Sequence, residues 1–196
     1  MKKLFSFSLL LVFSFFFMSC EKEETVTVLP ETEAKMDRSF DFNSDDIDEK
    51  ASYTLDADET QLVLENKILE VSFSPARQDG KDAIFFEIYE ADLANGYVGK
   101  YKVQSLPDPA SGPAKTTYYH YMNSGSGSVL LSGGNTIDGE FEITSFDYET
   151  QLASGKFTVV MKDVTDPTRY NANLADARKC DVTVTGEFTN LILVKP

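Results

Sequence analysis

The chain has 196 residues, and 32 acidic against 18 basic side chains give it a formal net charge of −14. A surface this acidic lacks the basic face that phosphate binding requires, so we expect no nucleic-acid partner. A single histidine excludes a His-rich zinc site, and the sequence has no phosphate-binding glycine loop, so we expect no cofactor.

The first residues have the layout of a secretion signal. Two lysines precede an apolar run over residues 4–18, which is too short to span a bilayer comfortably, and Ser19 and Cys20 follow it. This layout resembles a bacterial lipoprotein signal, although Phe17 stands where Leu is usual. The resemblance implies a signal peptide at 1–19, acylation of Cys20, for example with palmitate, and a membrane partner held through that lipid. The alternative is an ordinary secretory peptide with an incidental cysteine.

Residues 20–50 predict an acidic flexible tether, because few apolar side chains are present to offset the entropy of ordering the chain. The Glu-Lys-Glu-Glu run at 21–24 resembles the sorting signal of outer-membrane lipoproteins exposed on the cell surface. An acidic start to a solvated tether, or a position on the periplasmic face, is the alternative. The domain is therefore predicted to span residues 51–196.

One pattern in the tether has the alternate spacing of a calcium loop, at Asp41, Asn43 and Asp45. The position that needs Gly holds Asp46, and the position that needs the closing Glu holds Ser52. We therefore predict no metal site here.

The remainder of the chain predicts an all-β domain, because apolar and polar residues alternate with a period of two between turn signals. Residues 138–162 predict a hairpin with a bulge near Ser154 and Gly155, and Leu62 to Phe73 predict a second hairpin that turns at Asn66 and Lys67. The other predicted elements are strands at 84–89, 99–104, 118–121, 129–131 and 182–194, and a short helix at 170–179. In the last strand one face is predicted to hold Val182, Val184, Gly186, Phe188, Ile192 and Val194. About nine strands predict an antiparallel β-sandwich, with a small lipocalin-like up-and-down barrel as the alternative.

A glycine followed two residues later by an aromatic ring recurs in the predicted strands. It occurs at Gly99-Lys-Tyr, Gly139-Glu-Phe, Gly155-Lys-Phe and Gly186-Glu-Phe, and we expect each glycine to leave room beside a large ring. In this order the phrases resemble a family of small uncharacterised lipoproteins from Gram-negative bacteria. That resemblance implies a β-rich domain of unknown function and brings no catalytic residues.

The candidate binding residues lie on the Tyr-rich strand. Tyr119 and Tyr121 share one face and Tyr118 and His120 the other, so one face can be core while the other is an aromatic platform for a glycan or an envelope protein. His120 is otherwise expected to face solvent or pack against Tyr118. Cys180 is expected to be a small buried or half-buried side chain rather than a reactive thiol.

These observations predict a non-enzymatic lipoprotein of the outer membrane that acts as a binding or accessory module. A hydrolase or a ligand-carrying barrel is the second hypothesis, and a deep polar pocket or a closed apolar cavity would distinguish it. A purely structural envelope protein is the third.

Overall fold

A computed structural model describes residues 29–42, 48–75, 81–94, 96–121, 128–130, 134–168 and 177–196, with backbone alone at 128–130. The signal peptide, Cys20 and the following residues to 28 lie outside these ranges. So do Asn43 and Asp45 of the calcium pattern, and residues 170–176 of the predicted helix.

Within the described residues the chain forms eleven strands and one short 3₁₀ turn at Glu90–Asp92, so the all-β prediction is confirmed. The strands are β1 Glu33–Phe42, β2 Asp48–Leu55, β3 Thr60–Glu65, β4 Ile68–Phe73, β5 Asp82–Tyr89, β6 Gly99–Gln104, β7 Ala114–Tyr121, β8 Ser128–Leu130, β9 Ile137–Asp147, β10 Leu152–Thr165 and β11 Lys179–Val194.

Eight strands close into a barrel in the order β3, β4, β5, β7, β6, β9, β10, β11, and β11 pairs with β3 to complete the ring. Two junctions, β6 with β7 and β11 with β3, are short parallel pairings. The predicted sandwich is therefore wrong and the alternative, a barrel, is confirmed. Its path departs from a simple up-and-down meander, because β7 lies between β5 and β6.

The predicted hairpins are both present. β3 and β4 join through Asn66 and Lys67, whose φ angles of 51° and 66° match the right-handed twist of a two-residue hairpin turn. β9 and β10 pair with a register shift between Ser154 and Gly155, where the bulge was expected.

The tether prediction is wrong for residues 33–42 and 48–50, which lie in β1 and β2. These strands pair with each other, and β1 also pairs along β11, so the folded domain begins before residue 51. Every second residue of β1 is buried, and the apolar ones among them join the core: Ala34, Met36, Phe40 and Phe42.

Phenylalanine rings from both halves of the barrel fill its interior. The ring centroids of Phe73 and Phe157 lie 4.8 Å apart, those of Phe86 and Phe141 also 4.8 Å, and those of Phe141 and Phe188 6.1 Å. These phenylalanine rings occupy the space in which a ligand-carrying barrel would hold its ligand.

Two of the recurring glycines make room for this packing, as expected. In the pairing of β10 with β11, Gly155 lies opposite Phe188 and Gly186 lies opposite Phe157. A Cβ atom on either glycine would overlap the ring across from it. The glycines and rings therefore form two complementary cross-strand pairs.

The residues of β11 that point inward change from even-numbered to odd-numbered positions at Asn190, whose φ angle is 55°. Val182, Val184 and Phe188 are buried as predicted, but beyond Asn190 the buried residues are Leu191 and Leu193. The prediction that Ile192 and Val194 share the inner face is therefore wrong, since both are exposed. The change of face accompanies the register shift between β10 and β11 at Ala153 and Gly155.

The barrel has two distinct ends. We call the end where the chain enters β1 the entry end; there Thr32 donates a hydrogen bond to the Asn190 carbonyl, and Leu193 N–H donates to Gln151 at the β9–β10 turn. The opposite end, the far end, has Phe42 paired with Cys180 and Asp82 paired with His120.

Candidate functional site

A shallow concavity of about 550 Å³ lies on the outer face of β3, β4, β5 and β7. We call it the groove. Its centre is one row of four paired residues, Gln61, Ser72, Phe85 and Thr117, each on a different strand. Because neighbouring strands place paired side chains on the same face, this row presents an amide, two hydroxyls and an aromatic ring together.

Aromatic rings lie at the far-end side of the groove. Tyr119 and Tyr121 line it, and the Tyr119 ring stands edge-on to Phe85 with centroids 6.2 Å apart. At the other side Glu87 is held by Lys115, whose Nζ donates to both carboxylate oxygens at 2.9 and 2.7 Å. The groove thus combines half-exposed rings with fixed polar groups, the composition typical of a small-molecule site.

The outer face on the other side of the barrel, which we call the charged face, carries charged side chains instead of the aromatic and hydroxyl groups of the groove. There Lys35, Glu187, Lys156, Glu142 and Lys100 form a continuous row across β1, β11, β10, β9 and β6, with the sign of the charge alternating at every strand. Ion pairs of 3.5 to 3.9 Å join Lys35 to Glu187 and Glu142 to both Lys156 and Lys100. This face satisfies its own charges, whereas the groove leaves its aromatic faces half-exposed.

The structure separates the four residues of the predicted platform. Tyr119 and Tyr121 lie on the outer face and line the groove. Tyr118 and His120 point inward and are fully buried, so these two of the four candidate binding residues form the core face of the strand, and the expectation that His120 faces solvent is wrong. The physical reason is the strand period of two, which places alternate residues of β7 on opposite faces.

Tyr118 and His120 belong instead to a buried polar cluster around Asp82. The Asp82 Oδ1 atom accepts hydrogen bonds from Tyr118 Oη at 2.5 Å and His120 Nδ1 at 2.8 Å. Oδ2 accepts from Arg38 Nε at 3.1 Å and from Tyr53 Oη. The cluster therefore saturates both carboxylate oxygens and links the β1–β2 hairpin to β5 and β7.

An Asp and a His at this distance have the geometry of two members of a catalytic triad, so the third position matters. Because the Asp82 carboxylate only accepts, His120 carries a proton on Nδ1. Nε2 is buried and has no hydrogen-bond partner among the described residues. No nucleophilic side chain among the described residues contacts Nε2, and the ring is fully buried. The contact that the structure shows for His120 is therefore structural: the ring helps to hold the Asp82 carboxylate in place.

Cys180 lies near the start of β11, is fully buried and forms no disulfide. Burial is the largest cause that raises the pKa of its thiol to about 12, and the nearby Asp166 carboxylate adds to the effect. The thiolate is thus scarce at neutral pH, which agrees with the prediction of a small buried side chain.

No group of three or more His, Cys, Asp or Glu residues that could hold a metal ion occurs in the described part of the chain. Across the same ranges, no helix has the length and apolar character needed to cross a membrane.

Phe85, Asp82 and Arg38 belong to these two sites but were not predicted from the sequence. Phe85 could have been found, because its outward position in β5 follows from the alternation and places it on the same face as Tyr119. The partners Arg38 and Asp82 lie far apart along the chain, and no local pattern joins them. Comparison with protein-family models, with curated proteins and with solved structures gives no match.

Proposed function

We propose that this chain is a lipoprotein anchored in the outer membrane through Cys20, facing the outside of the cell, and that its barrel is a non-catalytic module that binds an uncharged glycan in the groove. The alternative position is the periplasmic face of the same membrane. The observation that carries the proposal is the concave row of aromatic, amide and hydroxyl side chains on one outer face of the barrel.

A glycan suits this surface for two reasons. Sugar rings present C–H faces that pack on aromatic rings and hydroxyls that exchange hydrogen bonds with amide, hydroxyl and carboxylate groups. Glu70 and Glu87 line the groove in a chain of net charge −14, so an anionic ligand would be repelled. The only histidine in the sequence, His120, points inward from β7 and is buried, so it does not reach this face.

The test is binding of neutral oligosaccharides by calorimetry to wild type and to single alanine variants. Removing a ring that the ligand covers costs about 1.5–3 kcal/mol, so we expect Phe85→Ala and Tyr119→Ala each to weaken binding about tenfold or more.

The matched control is Tyr89→Ala, because Tyr89 projects outward from the same strand as Phe85 but does not line the groove. We expect this variant to bind as wild type does. Equal affinity of Tyr119→Ala and wild type, or no binding by any oligosaccharide in the panel, would contradict the glycan assignment.

A further inference from the structure

The large hydrophobic side chains that are exposed in the described residues are not scattered over the surface. They number six, are 40 to 62% exposed, and comprise Leu29, Tyr89, Val98, Tyr148, Ile192 and Val194. On an ordinary surface such residues occur singly and on all sides, whereas a cluster marks an interaction site.

All six lie at the entry end. Leu29 precedes β1, and Ile192 and Val194 end β11 beyond the residue that pairs with Glu33. Tyr148 is in the β9–β10 turn, and Val98 directly precedes β6, whose Gly99 pairs with Ile143 of β9. Tyr89 ends β5 opposite Ile68, next to the β3–β4 turn.

Ring contacts extend the apolar surface around one member of this cluster, Tyr148. The Phe146 ring lies 4.7 Å from Tyr97 and 4.9 Å from Tyr148, and Lys195 Nζ stands 5.6 Å over the Tyr97 ring. Tyrosine rings with a polar tip, flanked by aliphatic residues, are the composition found where proteins meet the headgroup region of a bilayer.

The length of the segment between Cys20 and the entry end limits how far this end can lie from a membrane that holds the lipid. Residues 21–28 separate Cys20 from Leu29 and reach roughly 30 Å at full extension. β1 spans ten residues, and at about 3.3 Å per residue the far end lies a similar distance beyond Leu29. A lipid on Cys20 therefore holds the entry end near the membrane, while contact by the far end would require a fully stretched tether.

We propose that the entry end docks on the phospholipid bilayer, with Tyr148, Val194 and their neighbours at headgroup depth and the far end pointing away. This inference rests on the lipid anchor of the proposed function. Acidic residues at the same end, Glu90, Asp92 and Glu149, disfavour an anionic surface, so the lipid it fits is zwitterionic.

The sequence contains no tryptophan, so a single introduced Trp reports its surroundings without background. The mature chain from Cys20 is coupled through that thiol to a maleimide lipid in phosphatidylcholine vesicles; the buried Cys180 thiol, with its raised pKa, does not compete. Brominated phosphatidylcholine then quenches any Trp that contacts the bilayer. The probes are Tyr148→Trp and Val194→Trp at the entry end and Tyr121→Trp near the far end.

We expect brominated lipid to quench both entry-end probes at least threefold more than the Tyr121→Trp probe, with a blue shift of emission for the entry-end probes alone. Equal quenching at both ends, or quenching at neither end of a chain that floats with the vesicles, would overturn the docking. The chemical coupling replaces acylation, so the result of the vesicle experiment does not depend on whether cells acylate Cys20. Acylation in cells is tested separately, by loss of palmitate labelling in Cys20→Ala.

Discussion

Asp82 is a buried carboxylate that joins the β1–β2 hairpin to the barrel wall. It accepts hydrogen bonds from four side chains, and the Arg38 guanidinium that faces it also donates to the Glu49 carbonyl and carboxylate. The Arg38 guanidinium also lies 4.0 Å from the centre of the Phe40 ring. A buried ion pair of this kind contributes little net stability while intact, but breaking it leaves an uncompensated charge.

The substitution Asp82→Asn should therefore destabilise the domain strongly. The amide nitrogen cannot accept the hydrogen bonds that one carboxylate oxygen accepts, and Arg38 keeps only the partly exposed Glu49 carboxylate as a counter-charge. Breaking one partner of a buried pair costs about 3–5 kcal/mol. Urea denaturation would measure the change, with Asp37→Asn on the exposed face of β1 as the control, expected within about 0.5 kcal/mol of wild type. Equal midpoints for Asp82→Asn and wild type would contradict this role.

The same residue gives the stability a dependence on pH. Burial by itself would raise the pKa of Asp82, but the hydrogen bond from His120 and the charge of Arg38 outweigh it and hold the pKa below its usual range. A carboxyl whose pKa is lower in the folded state stabilises above its unfolded value of about 4. That contribution is lost as the pH falls through the folded pKa, so Asp82→Asn should show a smaller loss of stability below pH 4 than wild type.

At the scale of the element, the strands of the two predicted hairpins are those that the sequence predicts best. β3, β4, β9 and β10 have local turn signals and a clean alternation of apolar and polar residues, so their positions follow from short stretches of chain. β11 is predicted only up to Asn190, because its change of face depends on a bulge that the neighbouring strand shares.

β1 was missed although its alternation is present. Its outward residues are mostly acidic, and the inward row contains Arg38 between Met36 and Phe40, which gives the segment the composition of a tether. Arg38 suits the interior only because Asp82 lies across from it. The charge pair that makes β1 a core strand is therefore visible only once the fold is known.

The glycine–ring pairs give a prediction for β11. In Gly186→Ala the new methyl group would overlap the Phe157 ring and approach the Lys35 carbonyl oxygen, in a well-packed part of the barrel. Overpacking of this kind costs about 1–3 kcal/mol. Gly134→Ala is the matched control, because a Cβ there has no atom within 4 Å. Thermal unfolding should give a lower melting temperature for Gly186→Ala than for Gly134→Ala. Equal melting temperatures would mean that the Phe157 ring can move aside.

At the scale of the whole molecule, the barrel rather than the sandwich follows from two short parallel junctions. Leu193 and Val194 pair with Leu62 and Val63, and Val103 and Gln104 pair with Ala114 and Lys115. Each junction consists of only two residue pairs, and no hairpin turn fixes which residues pair there. The sequence predicts the individual strands, but closure depends on these distant pairings.

The extent of the folded unit leads to the last prediction. A chain that begins at residue 51, the predicted domain start, lacks β1 and with it the buried side chains of Met36, Phe40 and Phe42. Each of these contributes about 1.5–3 kcal/mol of burial, a sum comparable to the whole net stability of about 5–15 kcal/mol. We expect this chain to show no cooperative urea transition, whereas a chain that begins at Leu29 unfolds cooperatively. If both truncated chains unfold at the same midpoint, the β1–β2 hairpin is an accessory to the barrel, and Asp82 must find its counter-charge elsewhere.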